Sequence, residues 1–171
     1  MSLPEPRPVT EYPRPTYLGD TGEVTAQVRA AGTPPELVYD HGGAVSYLAT
    51  NVTTDQQFGL YRWDFGTTVS GPDPHFHRTI SESFFLLSGR VRLYDGNTWV
   101  DATAGDFMFV PPGGIHGFRN ESGERASMLL LFAPGAPREG YFETLRELGR
   151  GLRMTAEERD AFYAAHDNVW L

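Results

Sequence analysis

Four residues in two short stretches have the types and spacing to hold one metal ion. The first stretch runs His75-Phe76-His77-Arg78-Thr79-Ile80-Ser81-Glu82, and Gly89 follows the glutamate by seven positions. The second runs from Gly105 through Pro111-Pro112-Gly113-Gly114 to His116, and Asn120 follows. Imidazole and carboxylate are donors suited to a divalent transition metal. In a strand, side chains alternate between faces, so His75 and His77 point the same way, about 7 Å apart along the chain. Glu82 opens the next apolar run and supplies an oxygen. The Pro-Pro-Gly-Gly turn aims His116 back toward the other three. Each piece alone is common on strand surfaces and in loops; the combination is specific. Three neutral imidazoles and one carboxylate would leave a divalent ion with a net charge of about +1 and open positions. Such an ion lowers the pKa of a bound hydroxyl and favours an enolate or phenolate. A carboxylate beside a cation stays ionised, so Glu82 can take up a proton.

The elements that must position these residues are short strands. Runs at Val45 to Asn51, Gln57 to Phe65, Glu82 to Leu87, Val91 to Tyr94, Trp99 to Ala102, Asp106 to Val110 and Ser127 to Phe132 are β-branched and aromatic, broken by Gly, Pro, Asp and Asn. Asp95-Gly96-Asn97 is a hairpin signal. Many short strands with regular turns predict an all-β, closed or double-sheet architecture. Residues 1–35 hold seven of the thirteen prolines, so they are expected to form an arm with one edge strand around Val24 to Val28. Residues 36–135 form the barrel. Residues 136–171 are helical: Tyr141, Phe142, Leu145 and Leu148 share one face, and Thr155 to Glu158 match a capping box.

Length and composition narrow the function. The 171 residues suffice for one domain with a proper core. A net charge of -8 opposes nucleic acid or anionic membrane as a partner. The absence of cysteine excludes disulfides, thiolate catalysis and cysteine-type zinc sites. No apolar run is long enough to span a bilayer, and the first residues lack the apolar core of a secretory leader, so a cytoplasmic location is expected.

The two stretches resemble the paired motifs of the cupin superfamily. His75, His77, Glu82 and Gly89 match the first motif; Gly105, Pro111, Gly113, His116 and Asn120 match the second. The motif's leading glycine would stand at position 69, which is Val69, with Gly71 two residues late. The resemblance implies a double-stranded β-helix, the jelly-roll cupin barrel. It also implies one divalent metal per chain (iron, manganese, nickel, cobalt, copper or zinc) held by His75, His77, Glu82 and His116. A homodimer and a small-molecule substrate follow from the same resemblance.

Alternation from the ligands places Phe84, Leu86 and Phe118 on the ligand face, and Tyr61 and Trp63 share a face of their own strand. These five are the candidate pocket residues, and as a set they suit a flat aromatic molecule. No Lys or Arg cluster lies among the motifs to grip a phosphate or dicarboxylate. Arg62, Arg78, Arg90, Arg92 and Arg119 read as surface or rim residues, as do His41 and His166. The chain resembles single-domain cupins of the quercetin-dioxygenase type, which implies a metal-dependent dioxygenase with Glu82 as the proton acceptor. A redox-free zinc cyclase or isomerase of the polyketide-cyclase type is an alternative, as is a cupin that binds a small molecule without turnover.

Overall fold

The apolar runs find antiparallel partners. The computed structural model describes residues 13–171. Strands β1 (Leu37–Val38), β2 (Ala44–Ala49), β3 (Gly59–Phe65), β10 (Ala126–Ala133), β5 (Ser81–Ser88) and β8 (Phe107–Val110) lie side by side in that order. A second sheet has the order β7 (Trp99–Thr103), β6 (Arg90–Tyr94), β9 (Gly117–Arg119), and β4 (His75–Phe76) pairs with β11 (Val169–Trp170). This is a double-stranded β-helix. β10 is central because its residues are apolar on both sides of the register: Leu130 stands opposite Tyr61 on one neighbour and Phe84 on the other. Phe118 of β9 packs edge-on against Trp63 and Phe65 of the large sheet, so one core lies between the sheets.

Turns set the register. Asp95 closes the β6–β7 hairpin by accepting from the Asn97 and Thr98 amides at 2.9 and 2.7 Å, with Gly96 at φ 90°. Gly71 explains the displaced glycine of the first motif. A Cβ there would sit 2.0 Å from the Phe118 carbonyl oxygen, and its φ is 141°, so glycine is required at 71. Val69 has no such constraint and is exposed.

Two helices follow β10: α1 (Glu139–Gly149) and α2 (Ala156–Ala165). α1 buries Tyr141 and Phe142, and the Tyr39 hydroxyl donates to the Phe142 carbonyl at 2.9 Å. Burying each ring contributes roughly 1.5–3 kcal/mol. α2 starts on the expected capping box, Thr155 accepting from the Glu158 amide and Glu158 accepting from the Thr155 amide. Phe162 stacks on Tyr141 across the two helices. After α2 the chain reverses at Asp167, whose φ is 55°, and β11 returns to β4.

The described residues divide into two units, 13–30 and Ala31–Leu171. The first has neither strand nor helix. The edge strand expected at Val24 to Val28 is absent, and both valines are fully exposed. Among the described residues this segment forms no ladder hydrogen bonds, so its backbone gains nothing from extending. Of the rest of the expected arm, residues 31–35 fall in the second unit and residues 1–12 lie outside the described residues. No described helix is long and apolar enough to cross a membrane.

Candidate metal centre

His75 and His77 flank Phe76 on and just after β4, Glu82 sits near the start of β5, and His116 precedes β9. The backbone of His75 exchanges two hydrogen bonds with that of His116, both at 2.9 Å. The Gly113 amide donates to the His77 carbonyl at 2.7 Å, so the Pro-Pro-Gly-Gly turn is tied to the first motif. All four side chains are buried, and one donor atom from each lies within 4.8 Å of the others.

The hydrogen bonds indicate what the site is built to hold. Nδ1 of His75, His77 and His116 meets the backbone carbonyl of Asp73, Asp167 and Gly114 at 2.9, 2.6 and 2.9 Å. A carbonyl only accepts, so each Nδ1 carries a hydrogen and each Nε2 is left as the donor atom for a ligand site. Nε2 of His77 and His116 both face Oε2 of Glu82, at 3.0 and 2.9 Å. A neutral Nε2 and a carboxylate oxygen are both acceptors, so the cluster needs a proton or a cation at its centre. Two ligands about 2.1 Å from one ion and at right angles lie about 3.0 Å apart, which matches both contacts. The residues fit a divalent transition metal.

The electrostatics agree. Burial pushes His75 down to about 4, helped by neighbouring His116. Burial would raise Glu82, but its contacts with the His116 and His77 rings outweigh it and hold the carboxyl well below the usual range. Burial lowers His116, yet the Glu82 carboxylate beside it leaves it above its ordinary value. Glu82 is therefore ionised at neutral pH, and near pH 6 the metal-free His116 keeps a proton that a metal must displace. Metal uptake at roughly pH 6 is expected to release the proton held at His116, and apparent affinity falls on further acidification. Proton release into a weakly buffered indicator solution on zinc addition measures this; uptake with no release would contradict it.

A cavity of about 830 Å³ opens beside the cluster, with His75 and Glu82 on its wall. Trp63 and Phe118 line it. The other three candidate pocket residues lie in the packed core and not on this wall. Tyr61 is buried against Tyr47, Phe132 and Phe142, with its hydroxyl donating to Glu139 at 2.6 Å. Phe84 packs behind His116 and Phe118, and Leu86 is fully buried. Alternation put Phe84 and Leu86 on the ligand face and left the face of Tyr61 open; all three are buried and stand off the wall. Asn120 is a brace: its amide donates to the Gly66 and Glu124 carbonyls and accepts from Ser122. His41 lies exposed at the cavity rim, and His166 caps α2 against Tyr141 and Phe162.

The C-terminal part of the chain supplies residues that motif spacing does not reveal. The Asp167 carbonyl orients His77, while its carboxylate accepts from the Arg78 and Thr79 amides and the Thr79 hydroxyl at 2.7–2.9 Å. The Trp170 ring lies 5.0 Å from that of His75. Arg138, the residue before α1, turns its side chain inward and lines the cavity. Arg138 lies outside the two motifs, among which no Lys or Arg cluster was expected, so motif spacing alone does not point to it.

Residues 62–132 match the family model described as a cupin domain. A stretch of 89 residues is 33% identical to an uncharacterized protein of Streptomyces coelicolor (strain ATCC BAA-471 / A3(2) / M145), covering 52% of this chain and 80% of that one. Another of 71 residues is 30% identical to the quercetin 2,3-dioxygenase of Bacillus subtilis (strain 168), covering 42% of this chain and 20% of the dioxygenase. The chain thus spans a fifth of the dioxygenase, and half of one further curated relative. Among solved structures, a predicted oxalate decarboxylase from Thermotoga maritima shares the fold with a TM-score of 0.55 at 21% identity, over 64% of this chain and 99% of that one.

Proposed function

The chain belongs to the cupin superfamily, and from that premise we propose that it is a metal-dependent dioxygenase acting on a flavonol-like or other enolisable aromatic small molecule. The observation that carries this reading is the buried cluster of three imidazoles and one carboxylate opening onto a large aromatic cavity. The partial likeness to a quercetin 2,3-dioxygenase supports the choice of reaction.

His75, His77, Glu82 and His116 would hold the ion. When bound, a redox-active metal would acidify a coordinated hydroxyl and allow dioxygen chemistry at the carbon beside it. The chain's own residues do the rest. Glu82 faces the cavity with an ionised carboxylate, placed to accept the substrate's hydroxyl proton at a carboxylate oxygen. Trp63, Phe118 and Phe132 offer flat apolar faces that orient a ring and exclude water. The carbonyls of Asp73, Asp167 and Gly114 hold the three imidazoles in one tautomer, so the donor atoms are placed before substrate arrives.

The test is anaerobic loading with iron, manganese, cobalt, nickel or copper, followed by oxygen-electrode measurements with flavonols and other enediols. Uptake well above that of metal-free protein is expected for at least one pairing. No uptake across the panel would remove the proposal. Stoichiometric zinc in the purified protein, with turnover indifferent to oxygen, would replace it with the redox-free alternative.

A further inference from the structure

We infer that Arg138 is a specificity-determining residue whose free guanidinium edge receives a carboxylate of the substrate, so that the cavity selects an acidic aromatic molecule. Arg138 is 4% exposed, and no described carboxylate oxygen lies within ion-pair distance of its nitrogens. A buried guanidinium with no carboxylate in direct contact is costly and calls for a partner. Nη1 donates to the His166 carbonyl at 2.7 Å and to Asn168 Oδ1 at 3.0 Å, which uses both of its hydrogens. Nε is buried with no hydrogen-bond partner, and the adjacent Nη2 donates to no described residue. Nε and Nη2 together form one edge of the guanidinium, the fork that matches a carboxylate with two parallel hydrogen bonds. The rings of Tyr141 and Phe132 hold the group at 4.3 and 5.0 Å, which fixes its plane.

The rest of the wall has the same bias. Trp63 Nε1, Trp170 Nε1 and Ser70 Oγ are also buried without partners, and all three line this cavity. An indole N–H only donates, and a hydroxyl can, so the wall presents donors in search of acceptor oxygens. The charges point the same way. Glu82 and Arg138 offset each other, as do Asp40 and Asp73 against Arg146 and Arg159, so a divalent ion would leave two positive charges in surplus on the lining. A carboxylate on Arg138 and an ionised hydroxyl at the metal cluster would neutralise them.

This inference rests on the proposed function for the fate of the ring, but it is tested by binding alone. Titration calorimetry on the full chain, loaded with zinc and under conditions without turnover, compares salicylate with salicylamide, which has the same shape and no negative charge. Salicylate is expected to bind about tenfold or more tightly. In Arg138→Met this preference should vanish while metal content stays at wild-type level. If that variant does not fold, Arg138→Gln, which keeps a donor for the His166 carbonyl, is read in its place with the same expectation. Equal binding of acid and amide by the wild type overturns the inference, and so does a preference that survives loss of the guanidinium. Oxygen uptake without an acid preference would leave the proposed reaction standing and sink this inference; an acid preference without uptake would do the reverse.

Discussion

His116→Ala is expected to lose metal by more than about 100-fold in affinity, beyond the 10- to 100-fold typical when only a supporting group is removed. His116 is fully buried, and its ring lies 4.4 Å from that of His75 and in hydrogen-bond contact with Glu82. No described His, Asp or Glu outside the quartet joins this cluster to replace it. The variant also leaves Glu82 with one imidazole partner in place of two. Removing one member of a buried charged pair costs about 3–5 kcal/mol, and the retained His77 contact places the expected loss near the lower figure. Two measurements separate these effects. Metal analysis after equilibration at fixed free zinc reports the ligand, and a thermal melt reports the fold. Wild-type protein should melt higher with zinc, by about 2.7 kcal/mol when the ion is at a hundred times its dissociation constant, whereas the variant should not respond. A variant that keeps stoichiometric zinc at the same free concentration would show that the cluster is not the binding site.

The second large effect should come from a change that touches no ligand. Ending the chain at His166 is expected to weaken metal binding by about 10- to 100-fold. The lost segment carries the carbonyl that orients His77, the carboxylate that clamps the Arg78 and Thr79 amides, and the strand residues that pair with Phe76 and His75. It also carries Asn168, which holds Arg138 and the Tyr141 hydroxyl. Without these contacts the loop bearing both motif histidines loses its outer support, and His77 is free to turn. Asp167→Asn is the milder control. It tolerates the left-handed backbone, keeps the carbonyl and weakens only the clamp, so its effect should be smaller. Competition with a chelator measures both proteins, and a truncated chain with wild-type affinity would show that the tail merely covers the site.

Much of this centre was legible before any coordinates. Alternation brings His75 and His77 to one side, and a Pro-Pro-Gly-Gly turn must bend the chain ahead of His116. Both rules act over a few residues, where backbone sterics dominate. The apolar runs were legible for the same reason, although their alternation says only which residues share a face. It says nothing of depth, and so Tyr61, Phe84 and Leu86 lie in the core while Trp63 and Phe118 reach the cavity. The valines at 24 and 28 illustrate the converse: β propensity by itself forms no strand.

From sequence alone follow the donor set, the barrel that carries it and the pairing of its two motifs, because each is written in residue types at short, regular spacings. Only the tertiary structure decided what surrounds the donors. Asp167 reaches His77 across ninety positions, and Arg138 enters the cavity from the start of a helix that local rules treat as ordinary. Such contacts form when packed helices return the chain end to the mouth of the barrel, and no local periodicity encodes that return.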